Sequence, residues 1–197
     1  MPYINSIFSN NIFYSISLKS DVKGPDSLPN ELIRGLPVTE ERLAAYGLLD
    51  RILATNFSAS INDLTKDDLG CPRCKSEFKC WVSIAHSGNF VAASASALGP
   101  VGIDLESFYS WDTTIEDIVL TAQEKNYIDT TNHRARAGTR FWVRKEALGK
   151  ALGIGIDDSV LKSSTENISL TVEGKTFFLR DLNAPVEYCA ALSFAFF

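Results

Sequence analysis

The segment Thr139 to Leu152 constrains the fold more than any other part of the chain. It is strongly helical, it stops at Gly153 and Gly155, and strand-like segments precede and follow it. Ahead of it, Val101 to Glu106 reads as a strand, and Thr121-Ala122-Gln123-Glu124 reads as a capping box opening a short helix through Tyr127 and Ile128. Behind it, Ile168 to Val172 and Thr176 to Leu179 flank Glu173-Gly174 as a hairpin, and Ala190 to Phe197 forms an apolar last strand.

The first half has the same grammar. Ile12, Tyr14, Ile16 and Leu18 alternate with Phe13, Ser15 and Ser17, the pattern of a half-buried strand. Lys23 to Asn30 carries Gly24, Pro25 and Pro29 and is expected to be a loop. Thr39 is placed to cap a helix with Glu40 and Glu41 in its first turn and Leu43, Tyr46, Leu49 and Leu53 at helical spacing. Asp63 to Lys79, polar and cysteine-rich, reads as loop. Trp81 to His86 and Phe90 to Leu98 read as strands joined at Ser87-Gly88-Asn89. The expectation is an α+β protein of two similar halves, residues 1–99 and 100–197, with no Pro/Gly/Ser linker between them.

Composition bounds the function. Hydrophobic residues make up 45% of 197 and charged residues 22%, ordinary for a globular chain with a sizeable core. No run approaches the roughly 18 apolar residues of a membrane span, and Met1 to Ser20 lacks the pattern of a secretory signal, so a cytoplasmic protein without membrane contact is expected. A balance of 19 Lys+Arg against 24 Asp+Glu disfavours a nucleic-acid binder, whose affinity comes largely from phosphate neutralisation. Six of the 19 basic residues nevertheless fall between Arg134 and Lys150. They form either a solvated face or a docking surface for an acidic partner.

Cys71, Cys74 and Cys80 lie within ten residues, while Cys189 is remote. With His86 they could form a Cys3His zinc site, but the second C-x-x-C that would strengthen the pattern is absent. Free thiols are the expectation.

Two segments carry chemistry. On the strand Val101-Gly102-Ile103-Asp104-Leu105-Glu106, residues two apart share a face, so the carboxylates of Asp104 and Glu106 point the same way. Such a pair needs a neutralising cation, and hard oxygen ligands suit Mg²⁺. On the helix, Phe141, Leu148 and Leu152 form an apolar stripe, with Trp142, Glu146 and Lys150 stacked on the adjoining face. Glu146 and Lys150 are either an exposed i,i+4 ion pair or a third carboxylate ligand beside an ammonium.

Gly102-Ile103-Asp104-Leu105-Glu106 and Trp142-Val143-Arg144-Lys145-Glu146-Ala147-Leu148-Gly149-Lys150 resemble the two signature motifs of the 4′-phosphopantetheinyl transferase family. These are G-[IV]-D-[ILV]-E on a strand and [FW]-x-x-K-E-[AS]-x-x-K on a helix. Ser83-Ile84-Ala85-His86-Ser87-Gly88 is similar to the Ser-His-Ser segment of the longer, surfactin-synthetase-activating type. The resemblance implies two pseudo-symmetric α+β halves in one monomeric chain, with coenzyme A in the cleft between them. It further implies transfer of the 4′-phosphopantetheine arm to a serine of an apo acyl or peptidyl carrier protein, releasing adenosine 3′,5′-bisphosphate. Asp104, Glu106 and Glu146 are then ligands of Mg²⁺, and Glu146 and Lys150 are the catalytic pair. Lys145 and Lys150 reach phosphates, and His86 with Ser87 meets the 3′-phosphate of coenzyme A.

The chain departs from the family at three places. Ala85 stands where a second Ser or Thr often precedes the His. Gly70-Cys71-Pro72 stands where Gly-Lys-Pro is common, leaving Arg73 or Lys75 to compensate. Of the N-terminal basic residues, Arg42 is the candidate grip on the adenosine phosphates, ahead of Arg34 and Arg51. Two other readings remain: a Mg²⁺-dependent phosphodiesterase or nuclease, and a non-catalytic module binding coenzyme A or a carrier protein.

Overall fold

In the computed structural model, residues 5–7, 11–33, 37–68, 70–75, 79–108, 111–172 and 174–196 are described. The chain divides into two units, Met1–Val101 with Phe197 and Gly102–Phe196. Arg34 lies outside the described residues.

In the first unit, β1 (Asn5–Ile7), β2 (Ile12–Leu18), β5 (Trp81–Ser87) and β6 (Phe90–Ser96) form a sheet in the order β1-β2-β6-β5. The β5–β6 pair is an antiparallel hairpin in register from Trp81↔Ser96 to Ser87↔Phe90, as the Ser87-Gly88-Asn89 turn predicts. Helix α2 (Glu40–Asn56) packs on β6 and β5. It starts where the Thr39 hydroxyl accepts the Arg42 N–H, which satisfies one of the orphan donors of a helix N-terminus. Its Tyr46, Leu49, Ile52 and Leu53 are buried in one core with Phe13 of β2 and with Val91, Ala93 and Ala95, whose small side chains on β6 let the helix lie close. A short helix, α1 (Asn30–Ile33), follows the Pro- and Gly-bearing loop.

The cysteine-rich stretch is not simply loop. It holds a small antiparallel ladder of β3 (Leu64–Lys66) and β4 (Pro72–Cys74). The expectation of free thiols is corrected there: Cys74 and Cys80 form a disulfide, with Cα atoms 6.0 Å apart, the ordinary separation for one. The ladder and the start of β5 bring these two together, and with both sulfurs so engaged no Cys3His zinc set remains.

In the second unit the sheet order is β7-β10-β9-β8, from β7 (Val101–Ser107), β8 (Ser169–Val172), β9 (Lys175–Asp181) and β10 (Tyr188–Phe194). Helix α5 (Arg134–Leu152) packs on β10 and β9, burying Phe141, Val143, Ala147, Leu148 and Ala151. It begins five residues before the expected start and ends as expected. Gly153 takes the left-handed conformation (φ 76°) that a side chain would disfavour, and its N–H closes on the Gly149 and Lys150 carbonyls. The short helices α3 (Glu116–Val119), α4 (Ala122–Asp129) and α6 (Asp158–Lys162) complete the unit, α4 opening with the expected Thr121/Glu124 capping box. The fold is α+β, each unit carrying a four-stranded sheet and one long helix. Among the described residues, no helix is long and apolar enough to cross a membrane.

Candidate active site

The site grows from one close approach in the second unit. A Cβ built on Gly102 would sit 2.0 Å from the Ala147 carbonyl oxygen and 2.6 Å from the Ala151 nitrogen, so β7 meets the backbone of α5 at a residue with no side chain. Two and four residues on, β7 presents Asp104, 5% exposed, and Glu106, half-buried. Across from them α5 presents Trp142, Glu146 and Lys150, all half-buried on one face.

Lys150 settles its two readings. Its Nζ donates to Asp104 Oδ1 at 2.7 Å and to the Ile103 carbonyl at 3.2 Å, so it bridges helix to strand. It is not half of an exposed pair along the helix. Burial, above all, pushes the Glu146 carboxyl up from its ordinary value. The charge of Asp104 adds to this, Lys150 opposes it, and Glu106 adds a little more. The three carboxylates therefore feel one another, and one ammonium does not offset them.

That donor set fits a hard divalent cation: three carboxylates, no soft ligand, and mutual repulsion that a cation would relieve. Among the described residues, no group of three His, Cys, Asp or Glu is drawn together tightly enough to enclose an ion, and the Lys150 ammonium lies 2.7 Å from Asp104 Oδ1.

A cavity of about 220 Å³ adjoins Glu106, lined also by Ser107, Trp111, Ile115, Thr139 and Trp142. Trp111 in that lining lies against Gly138, where a Cβ would sit 2.2 Å from its ring. The Thr139 hydroxyl, buried at 2% exposure, has no hydrogen-bond partner among the described residues. The sequence reading missed Trp111, since only the fold brings it to Gly138.

Other expected site residues are placed elsewhere. Lys145 does not reach a phosphate. It is 0% exposed, with Nζ 3.1 Å from Glu124 Oε2 and donating to the Leu161 and Ser163 carbonyls at 2.9 and 2.6 Å. Burial pulls its ammonium below the ordinary value against the attraction of Glu124. Arg42 is likewise corrected: it is buried in the first unit and spends its guanidinium on the Pro37 and Leu32 carbonyls at 2.9 and 2.7 Å, bracing the chain ahead of α2.

Arg73 remains one-third exposed but is engaged by Asp67 at 2.8 Å, and Lys75 donates to the Asn62 carbonyl. Arg51 is half-buried on α2. His86 is exposed on β5 opposite Val91, with Ser87 beside it opposite Phe90.

The basic run is mostly neutralised. Arg134 pairs with Glu116 and Asp129, while Arg140 and Arg144 both pair with Asp181, and Arg144 is 3% exposed. As a docking surface the run reduces chiefly to Arg136, which is exposed and has no carboxylate partner among the described residues.

Residues 100–192 match the family model of the 4′-phosphopantetheinyl transferase superfamily. The 4′-phosphopantetheinyl transferase AcpT of Salmonella typhi is 27% identical over 149 residues, covering 74% of this chain and 77% of its own length. AcpT of Escherichia coli K12 is 27% identical over 164 residues, 80% of each chain. The crystal structure of Thermotoga maritima holo-[acyl-carrier-protein] synthase is 20% identical with a TM-score of 0.37, over 50% of this chain and 63% of that one. The matched residues include both the acidic strand and the helix facing it.

Proposed function

We propose that the chain transfers the 4′-phosphopantetheine arm of coenzyme A to a serine hydroxyl of an apo carrier protein, releasing adenosine 3′,5′-bisphosphate. The observation that carries this reading is the crossing at Gly102, which sets Asp104 and Glu106 against Glu146 and Lys150. The superfamily match and the two named transferases support the class of reaction. The His86-Ser87 segment supports the longer, surfactin-synthetase-activating type and contact with the 3′-phosphate. Action in the cytoplasm, as a monomer, belongs to the same reading.

Asp104, Glu106 and Glu146 would hold Mg²⁺, which supplies neutralisation of charge on the leaving phosphate. Lys150, held to the strand by Asp104, places an ammonium beside the three carboxylates, where it would offset the negative charge of the pyrophosphate. Glu146 accepts the serine proton, directly or through one water. The serine Oγ–phosphorus bond forms as the bond from that phosphorus to the bridging pyrophosphate oxygen breaks. The bridging oxygen leaves on adenosine 3′,5′-bisphosphate.

A panel of apo carrier proteins incubated with coenzyme A and Mg²⁺, read by intact mass, tests this. One carrier should gain a single arm, with one equivalent of bisphosphate released. Phosphodiester cleavage with no modified carrier would favour a hydrolase instead.

A further inference from the structure

Helix α5 is held by two buried cations at successive positions, immediately before Glu146. Successive residues project about 100° apart around a helix, so the two grip different neighbours. Arg144 turns to β9, donating Nε and Nη2 to the two oxygens of Asp181 at 2.6 and 2.9 Å, and Nη1 to the Thr165 carbonyl at 2.5 Å. Lys145 turns to α4 and the end of α6, and its ammonium meets Glu124, Leu161 O and Ser163 O.

Glu124 is equally occupied. Its Oε2 closes the capping box on the Thr121 N–H and hydroxyl at 2.9 and 3.1 Å. Its Oε1 accepts the Thr165 N–H and hydroxyl, both at 2.8 Å. One residue, Thr165, is therefore held from both sides: its carbonyl by Arg144 and its N–H by the counterion of Lys145. Both partners of the Lys145–Glu124 pair are 0% exposed. A fully desolvated ion pair is weak evidence for stability but fixes geometry wherever every donor and acceptor is used, as here.

We propose that Lys145 and Glu124 are positioning residues, fixing the rotation of α5 about its axis so that Glu146 faces Asp104 and Glu106. The proposal rests on the reading of those three carboxylates as a divalent-cation site. Arg144 ties the helix to β9 and the Thr165 segment, whereas Lys145 ties it to α4 and α6, so the two together add polar restraint against rotation to the apolar packing on β10.

Mn²⁺ binding followed by electron paramagnetic resonance on the full chain tests this without turnover. Lys145→Met keeps the stem and removes the charge, and Lys145→Met with Glu124→Gln removes both charges. Glu124→Gln alone keeps most of the hydrogen bonds and decides the matter if the other two fail to fold. Val172→Ala, a core trim on β8 in the apolar cluster that holds Leu148 and Ala151 of α5, matches the loss of thermal stability without touching the Lys145–Glu124 pair. At a temperature where all variants show native circular dichroism, loss of the clamp should weaken Mn²⁺ by about ten-fold or more. Val172→Ala should stay within about two-fold of the unmodified protein.

Folded clamp variants that bind Mn²⁺ like the unmodified protein, or like Val172→Ala, overturn the positioning role and leave the pair as core structure. If Glu146→Gln binds Mn²⁺ no differently from the unmodified protein, the carboxylate reading fails first and the proposal falls with it.

Discussion

Lys150 donates to Asp104 Oδ1 at 2.7 Å, taking up an oxygen that a divalent cation would also seek. Ammonium and metal ion therefore compete for, or share, the charge of one buried carboxylate. Lys150→Met should bind Mn²⁺ several-fold more tightly while transfer falls by about 10²-fold, the scale of a lost charge contact to a transferring phosphate. Calorimetric titration beside a single-turnover assay would show it. Weaker metal binding in the variant would mean that Lys150 orients Asp104 for the ion and does not compete with it.

Glu146→Gln removes a charge from the trio and the proton acceptor in one step. Transfer should drop by about 10²- to 10⁴-fold with circular dichroism unchanged, since relieving repulsion among three carboxylates does not cost fold. Near-normal turnover in the folded variant would remove Glu146 from the reaction.

Gly102→Ala places a methyl group inside van der Waals contact with the α5 backbone. Strand and helix must part, costing about 1–3 kcal/mol in thermal unfolding, and activity should fall further than stability because the acidic residues ride on the displaced strand. A variant with unchanged melting and rate would show that the crossing yields at no cost.

The two arginines at the start of α5 should separate in their effects. Arg136→Glu, at an exposed position, should raise carrier KM in a salt-dependent way while melting stays unchanged. Arg134→Glu should lower stability instead, because it sets a second carboxylate against the buried Glu116. A carrier KM indifferent to both Arg136→Glu and salt would make docking apolar.

His86→Ala should weaken coenzyme A by roughly ten- to a hundred-fold and 3′-dephospho-coenzyme A far less, the worth of one charge-assisted hydrogen bond being about 1.5–3 kcal/mol. Equal losses, measured by equilibrium binding, would put His86 away from the 3′-phosphate.

What the sequence made legible was what local pattern dictates. The β5–β6 hairpin follows from alternation around Ser87-Gly88-Asn89, the α4 start from Thr121 and Glu124, and the α5 end from Gly153. Asp104 and Glu146 could be paired only through the family resemblance, because the glycine that lets their elements meet looks like any strand glycine until the helix is in place.

Charged residues misled wherever tertiary partners decided their surroundings. Lys145 and Arg144 sit in a helix that reads as basic and exposed, yet Glu124 and Asp181, one far upstream and one far downstream, draw both inside. The first turn of α5 is polar and lacks a side-chain cap at His133, so nothing local announced it. The Cys74–Cys80 bond depends on β4 delivering one sulfur to the start of β5, which spacing along the chain does not encode.

The contact at Gly102 has a bearing on how such a protein can change over time. Where strand and helix touch backbone to backbone, no rotamer intervenes, so their separation is insulated from repacking of the surrounding apolar side chains. Substitutions elsewhere in the second unit can drift through the core, trading stability up and down, without retuning the gap across which the acidic groups face each other. Adaptation to new partners is thereby freed to act on the rim, while the interior dimension of the chemistry is inherited unchanged.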